Sequence, residues 1–155
     1  RGSVSLPENT LNACRARMEQ PTPRVRLGMA LRGIASAAAD VSDGLLGDLG
    51  HILQQSAVGA LLQVDICDHL LTCRRDVQLA PEWTRTCVLS GGDDYELVFT
   101  AAASLREQVQ IAARISQTPV TRIGQVTTHK GMDLRDQTGQ AVPANFASFD
   151  HFPQD

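Results

Sequence analysis

The chain has 155 residues, seventeen acids, fourteen bases and a formal net charge of −3, a length that suits one domain with a real core. Apolar residues make up 43% and charged residues 20%, which excludes a disordered segment, and no run approaches the ~20 apolar residues of a membrane helix. The acidity argues against a nucleic-acid binder, and the single lysine, Lys130, has no glycine-rich run before it, so a P-loop is excluded.

In chain order, the spacing predicts a first helix from Pro7 to Gln20, with Leu11, Cys14 and Met18 on one face, stopped by Pro21-Thr22-Pro23. A second helix is predicted from Val25 to Ile34, carried by Leu27, Ala30, Leu31 and Ile34. Ala35 to Val41 reads as a short buried strand. A helix from about Gly44 to Ser56 follows, capped by Ser42 or Asp43, with Leu45, Leu46, Leu49, Ile52 and Leu53 as its apolar stripe. Gly44, Gly47 and Gly50 line another stripe of that helix, where a backbone or a ligand would come close.

Gly59 to Asp65 reads as a strand, 66–80 as irregular with Arg74, Arg75 and Asp76 in a solvated turn, and Pro81 to Leu89 as a helix. A glycine-rich turn then leads into a strand from Tyr95 to Thr100, with Tyr95, Leu97 and Phe99 on one face. Ser104 to Ser116 reads as a helix built on Leu105, Val109, Ala112 and Ile115, with Ser104 and Glu107 forming a capping box. A strand from Val120 to Thr127 and a hairpin from Met132 to Val142, turning at Asp136 to Gly139, complete the set. Phe146, Phe149 and Phe152 crowd the C-terminal end. Helices alternating with strands give the class as α/β (α+β) with one layered sheet.

Six arginines against two acids fill the first 35 residues, and five aspartates with no base fill residues 40–68. The four cysteines form no C-x-x-C pair, so they read as reduced, mostly buried thiols rather than a zinc site or a disulfide scaffold. The first residues carry no apolar leader, and the chain is expected to be cytoplasmic. The histidines show no metal spacing, and His51 reads as a packed or surface residue. Ser90 lacks the context of a hydrolase nucleophile.

Two acidic turns are where chemistry would reside. Asp40-Val41-Ser42-Asp43-Gly44 offers two carboxylates and a hydroxyl over a helix N-terminus, groups suited to Mg²⁺ and phosphate or, alternatively, to simple helix capping. Gly91-Gly92-Asp93-Asp94 lets a backbone come close to a ligand and offers one outward acid, or is simply a turn between helix and strand.

Taken together, Pro21-Thr22-Pro23-Arg24-Val25, Asp40-Val41-Ser42-Asp43-Gly44-Leu45, Asp48-Leu49-Gly50-His51-Ile52-Leu53, Leu89-Ser90-Gly91-Gly92-Asp93-Asp94-Tyr95-Glu96-Leu97 with Phe99-Thr100, and Phe149-Asp150-His151-Phe152 resemble the C-terminal half of the thiamine-monophosphate kinases. The resemblance implies a layered α/β/α domain around a mixed sheet, as in the aminoimidazole-ribonucleotide-synthetase superfamily. It implies Mg²⁺-dependent transfer of the γ-phosphoryl of ATP directly to thiamine monophosphate, giving thiamine diphosphate. On the matching positions, Asp40 and Asp43 would ligate Mg²⁺, Ser42 would contact ATP, and Asp93 and Phe149 would contact thiamine monophosphate. No residue of this half is a nucleophile. The family has glutamate where this chain has Asp93. The N-terminal domain of the family, with its further Mg²⁺–ATP aspartates and its dimer contacts, has no counterpart in these residues, so this chain by itself is expected to be inactive. The alternatives are another ATP-dependent member of the superfamily or a non-catalytic binding domain.

Overall fold

A computed structural model describes residues 6–143 except 72, 74–76 and 78. Phe149, the other residues after 143 and the Arg74-Arg75-Asp76 turn lie outside the described residues.

The elements follow the expected order: α1 (Glu8–Glu19), α2 (Val25–Ala30), β1 (Ala35–Val41), α3 (Leu45–Gln55), β2 (Gly59–Gln63), α4 (Val64–Cys67), α5 (Pro81–Ser90), β3 (Glu96–Ala101), α6 (Arg106–Ser116), β4 (Gly124–Thr127) and β5 (Gly131–Arg135). The α/β class holds, with the strands divided between two sheets. β1 and β3 form an antiparallel ribbon, whereas β2 lies between antiparallel β4 and parallel β5 in a mixed sheet. The turn expected at Asp136 to Gly139 forms: the Gly139 N–H donates to the Asp136 carbonyl, and the Asp136 carboxylate accepts the Thr138 and Gln140 N–H groups.

The β1–β3 ribbon separates two cores. Val98 of β3 enters one with Val41, the α3 residues Leu45, Leu49, Ile52 and Leu53, and Leu89 of α5. Its neighbours Leu97 and Phe99 point to the other side, where Leu27 and Leu31 meet Val109 and Ala112 of α6. This is the period-two alternation of a strand covered on both faces. β1 is less deeply buried than expected, because Ser36, Ala38 and Asp40 on one of its faces stay exposed. A register shift between Ala35 and Ala37 moves Ala35 to the α2–α6 side.

Several local expectations are corrected. Leu11 and Met18 of α1 are exposed, and Thr10 is that helix's buried residue. The helix meets the domain through charged groups rather than an apolar stripe. The N-cap position of α3 falls at Gly44 rather than at Ser42 or Asp43, and that of α6 falls at Leu105, which makes no side-chain cap bond, so Ser104 forms no capping box there. At α6 a 3-10 turn over Ala103–Leu105 takes the place of the box. Ile115 is 70% exposed, and the inward position is taken by Ala113 and Ser116. Tyr95 precedes β3 and is exposed, so it does not join the face of Leu97 and Phe99. The last regular strand of the 120–127 segment begins only at Gly124. Of the cysteines only Cys67 is buried, and its thiol is pushed up to about 12 by burial and the neighbouring Asp68 charge; Cys14 and Cys73 are half-buried and Cys87 is exposed. Among the described residues, no helix is long and apolar enough to cross a membrane.

The two apolar positions on which sequence and structure agree and disagree give a paired test. Leu89 is fully buried, so Leu89→Ala should lose about 2–5 kcal/mol of unfolding free energy. Ile115→Ala should change it by less than about 0.5 kcal/mol. Urea unfolding of both variants reads the difference.

Candidate functional site

The structure brings the two acidic turns together at one end of the β1–β3 ribbon. The Asp93 N–H donates to the Ser42 carbonyl at 2.9 Å and the Tyr95 N–H to the Val41 carbonyl at 3.0 Å. These bonds prolong the β1–β3 ladder, which ends at Val41 opposite Glu96, past the end of the strands. Residues fifty apart in sequence thus form one surface.

The glycines are required by that contact. A Cβ on Gly92 would lie 2.5 Å from the Ser42 carbonyl oxygen, and one on Gly44 would lie 2.9 Å from the Ser90 backbone. Gly44 also has φ +108°, a region that L side chains rarely adopt. What approaches these glycines is another stretch of this chain, so of the backbone-or-ligand alternatives the backbone is realised. Gly50, by contrast, has only the Met132 methyl at 4.0 Å from such a Cβ.

Asp40 is exposed near the end of β1, paired with Leu97. Ser42 and Asp43 are half-buried in the turn that follows. Their N–H groups donate to the carboxylate of Asp48, at 2.9 and 3.1 Å. Asp48 itself is 7% exposed, in the first turn of α3. So α3 reaches back to hold the turn that precedes it, and its N-cap position, Gly44, has no side chain to offer.

Asp93 is exposed, with φ 62°, and its carboxylate accepts a bond from the Tyr95 hydroxyl at 3.3 Å. Tyr95 also has a positive φ, 53°. Two non-glycine residues in this region cost of order 1–3 kcal/mol each, so the loop persists only because its neighbours hold it. Ser90, at the end of α5, has a buried hydroxyl oxygen with no hydrogen-bond partner among the described residues. His51 lies exposed on α3.

Asp48, Arg17, Arg24 and Glu96 are the residues that inspection of the motifs passed over. Glu96 accepts two bonds from Arg24, Nε to Oε2 at 2.7 Å and Nη2 to Oε1 at 2.6 Å, and a further bond from Arg17. Arg17 also donates to the Asp94 carbonyl at 3.2 Å. The signal available was the basic segment placed before the acidic one. Two arginines of that segment, Arg17 and Arg24, are internal partners of Glu96.

Charge crowding perturbs the acids. Partial burial of the Glu96 carboxyl opposes its ionisation, but the Arg24 and Arg17 guanidiniums outweigh that and hold it below its ordinary value. The same pairing holds Arg24 more firmly protonated. Asp94 keeps solvent contact, yet desolvation by the packed loop, with repulsion from Glu96 and Asp93, pushes its carboxyl up to about 6 against the pull of Arg17. Among the described residues no three His, Cys, Asp or Glu side chains gather closely enough to hold a metal ion.

The family described as AIR synthase related protein, C-terminal domain, matches residues 8–137. The thiamine-monophosphate kinase of Salmonella typhimurium is 42% identical over 137 residues, which are 86% of this chain and 40% of that protein. The crystal structure of thiamine-monophosphate kinase from Stenotrophomonas maltophilia K279a superposes with a TM-score of 0.70 at 41% identity, over 90% of this chain and 42% of that one. AaThiL complexed with AMPPCP and TMP superposes with a TM-score of 0.69 at 25% identity, over 96% of this chain and 44% of that one. The chain spans about two fifths of the length of the relatives it matches.

Two expectations follow. Loss of the Asp48 carboxylate in Asp48→Ala should cost about 1–3 kcal/mol, since it strands two loop N–H groups, with faster amide exchange at Ser42 and Asp43. The acids should shape stability against pH in opposite senses. Asp94 has a raised value, so the folded chain binds its proton more tightly and stability falls as pH rises from about 4 to about 6. Glu96 has a lowered value, so its contribution is complete above its ordinary 4.5 and is lost as pH falls through the folded value. Urea midpoints against pH should show Asp94→Asn losing the first slope and Glu96→Gln the second.

Proposed function

The chain belongs to the AIR synthase related family, of which residues 8–137 form the C-terminal domain, and on that footing we propose that it is the C-terminal half of a thiamine-monophosphate kinase. The proposed reaction moves the γ-phosphoryl of ATP to thiamine monophosphate, giving thiamine diphosphate. The observation that carries this reading is the fusion of the two acidic turns into one surface at the start of α3. Relatives named thiamine-monophosphate kinase, and a structural neighbour complexed with AMPPCP and TMP, support the choice of substrates.

Phosphoryl transfer demands positioning and charge neutralisation more than covalent chemistry. In the proposed arrangement Ser42 contacts ATP, and the α3 N–H groups favour phosphate there. Asp40 and Asp43 hold Mg²⁺. Their hard oxygens suit that ion, but two carboxylates leave its six positions incomplete. Nucleotide phosphates and acids of an N-terminal domain would complete the set. The ion would neutralise the phosphate charge in the absence of a P-loop lysine. Asp93 and Phe149 contact thiamine monophosphate; Phe149 lies outside the described residues. An aspartate in place of the family's glutamate shortens the reach by one methylene. Asp93 would either sit closer to the substrate or act through a bridging water. We further propose a homodimer formed through the N-terminal domain, in a cytoplasmic protein, with direct in-line transfer and no phospho-enzyme.

The test is a coupled ADP-release assay with thiamine monophosphate, Mg²⁺ and ATP. The 155-residue chain alone should read background, and its fusion to the N-terminal domain should turn over. In that two-domain protein, Asp43→Asn should lower kcat by at least ~100-fold, the scale of a lost electrostatic contact to the transition state, with little change in melting temperature. Intact turnover with Asp43→Asn would leave Asp43 as a structural turn residue.

A further inference from the structure

The 91–95 loop has an unusual mechanical problem. Residues 92–95 are all exposed, and only the Asp94 carboxyl is partly desolvated, so burial does little to hold them. Asp93 and Tyr95 both occupy the left-handed region, which opposes the observed shape. The backbone bonds from Asp93 to Ser42 and from Tyr95 to Val41 hold the loop from one side. Between those two anchors lies Asp94, whose carbonyl takes the Arg17 guanidinium at 3.2 Å.

Arg17 is a long, part-exposed side chain of α1, and alone it would not hold one direction. Glu96 supplies the direction by accepting from the same Nη2 atom of Arg17. Glu96 in turn is fixed by the two bonds from Arg24, the fork geometry that best orients a carboxylate. Arg24 lies just before α2, at the end of the Pro21-Thr22-Pro23 segment, where proline limits backbone freedom. The order of control therefore runs from Arg24 to Glu96 to Arg17 to the Asp94 carbonyl. The bonds of this relay leave the Asp93 carboxylate to the Tyr95 hydroxyl and solvent.

We propose that Arg17, Glu96 and Arg24 are positioning residues that lock the 91–95 loop in its strained shape and so set how Asp93 is presented to the substrate. The second half of this statement rests on the reading of Asp93 as a thiamine monophosphate contact; the first half does not. A merely structural cluster, tying α1 and α2 to the ribbon, would have another signature. Its loss would loosen the helices and the whole ribbon together, whereas loss of a loop lock frees the loop first.

The experiment uses Arg17→Gln, Arg17→Lys and Glu96→Gln in the 155-residue chain, with folding checked by circular dichroism. Amide exchange of Asp93 and Tyr95 is followed by NMR, against the β3 and α6 amides as internal references. In Arg17→Gln and Glu96→Gln, exchange at Asp93 and Tyr95 should rise about tenfold or more, the scale of one charge-assisted bond, while the β3 and α6 amides keep their rates. Arg17→Lys keeps a charge for Glu96 on a shorter side chain that does not place a donor where Nη2 stands, and should give an intermediate rise. Unchanged loop exchange, or an equal rise across β3 and α6, overturns the proposal. In the two-domain protein, Arg17→Gln should raise the KM for thiamine monophosphate about tenfold and leave the KM for ATP within about twofold. If Asp93→Ala raises that KM and Arg17→Gln does not, presentation of Asp93 does not depend on the relay and the proposal falls. If Asp93→Ala leaves the KM unaltered, it is the substrate role of Asp93 that is lost, while the loop lock stands or falls on the exchange rates alone.

Discussion

The structure of the site depends on a short stretch of backbone contact. Two hydrogen bonds carry the β1–β3 pairing beyond the strands, into turns that would otherwise diverge. They demand glycine at positions 44 and 92, because any Cβ there would strike the opposing backbone. They also fix where the acids can be. Asp40, Ser42 and Asp43 belong to one turn and Asp93 and Asp94 to the other, so the junction decides that both sets face a common surface. Packing the second turn against the first desolvates Asp94, and with repulsion from Glu96 and Asp93 this raises its carboxyl. A fold that only needed a connection here would gain nothing from such crowding.

The surrounding helices answer that repulsion from two sides. Asp48 is a buried acid, but it takes backbone N–H groups rather than adding a further charge to the open surface. Glu96 is an acid next to the loop, but two arginines neutralise it. The basic N-terminal segment thus meets the acidic middle of the chain at a specific carboxylate. This explains how α1 is attached although Leu11 and Met18 remain in solvent. Such part-exposed ion pairs contribute little to global stability, and their value lies in direction.

Much of this was legible in the sequence. The order of helices and strands follows from apolar spacing, and the α3 stripe of Leu45, Leu49, Ile52 and Leu53 is buried as its period requires. The two acidic turns were recognisable as separate features, and the family resemblance is upheld by the match over residues 8–137. What periodicity does not encode is pairing across fifty residues. Ser42 near a helix start looks like a cap because capping is a local choice. It is not one here because Asp48 and the 91–95 loop claim its backbone groups through tertiary contact. Ile115 shows the same limit, since its helical spacing is right but the neighbouring Ala113 and Ser116 fit the narrow space against the domain.

The division of labour among the acids bears on how a half-site can be stable without its ligands. Charges meant for a metal or phosphate must be left partly unsatisfied in the folded chain, and that costs stability unless they remain hydrated. Asp40 and Asp93 meet this condition by exposure. Asp48 and Glu96, which are less exposed, meet it through backbone N–H groups and guanidiniums respectively. On the proposed reading, stability and binding fall to different carboxylates. The open acids can turn toward a cation or substrate without breaking the bonds that hold the loops, and the closed acids keep the loops in place whether or not anything is bound.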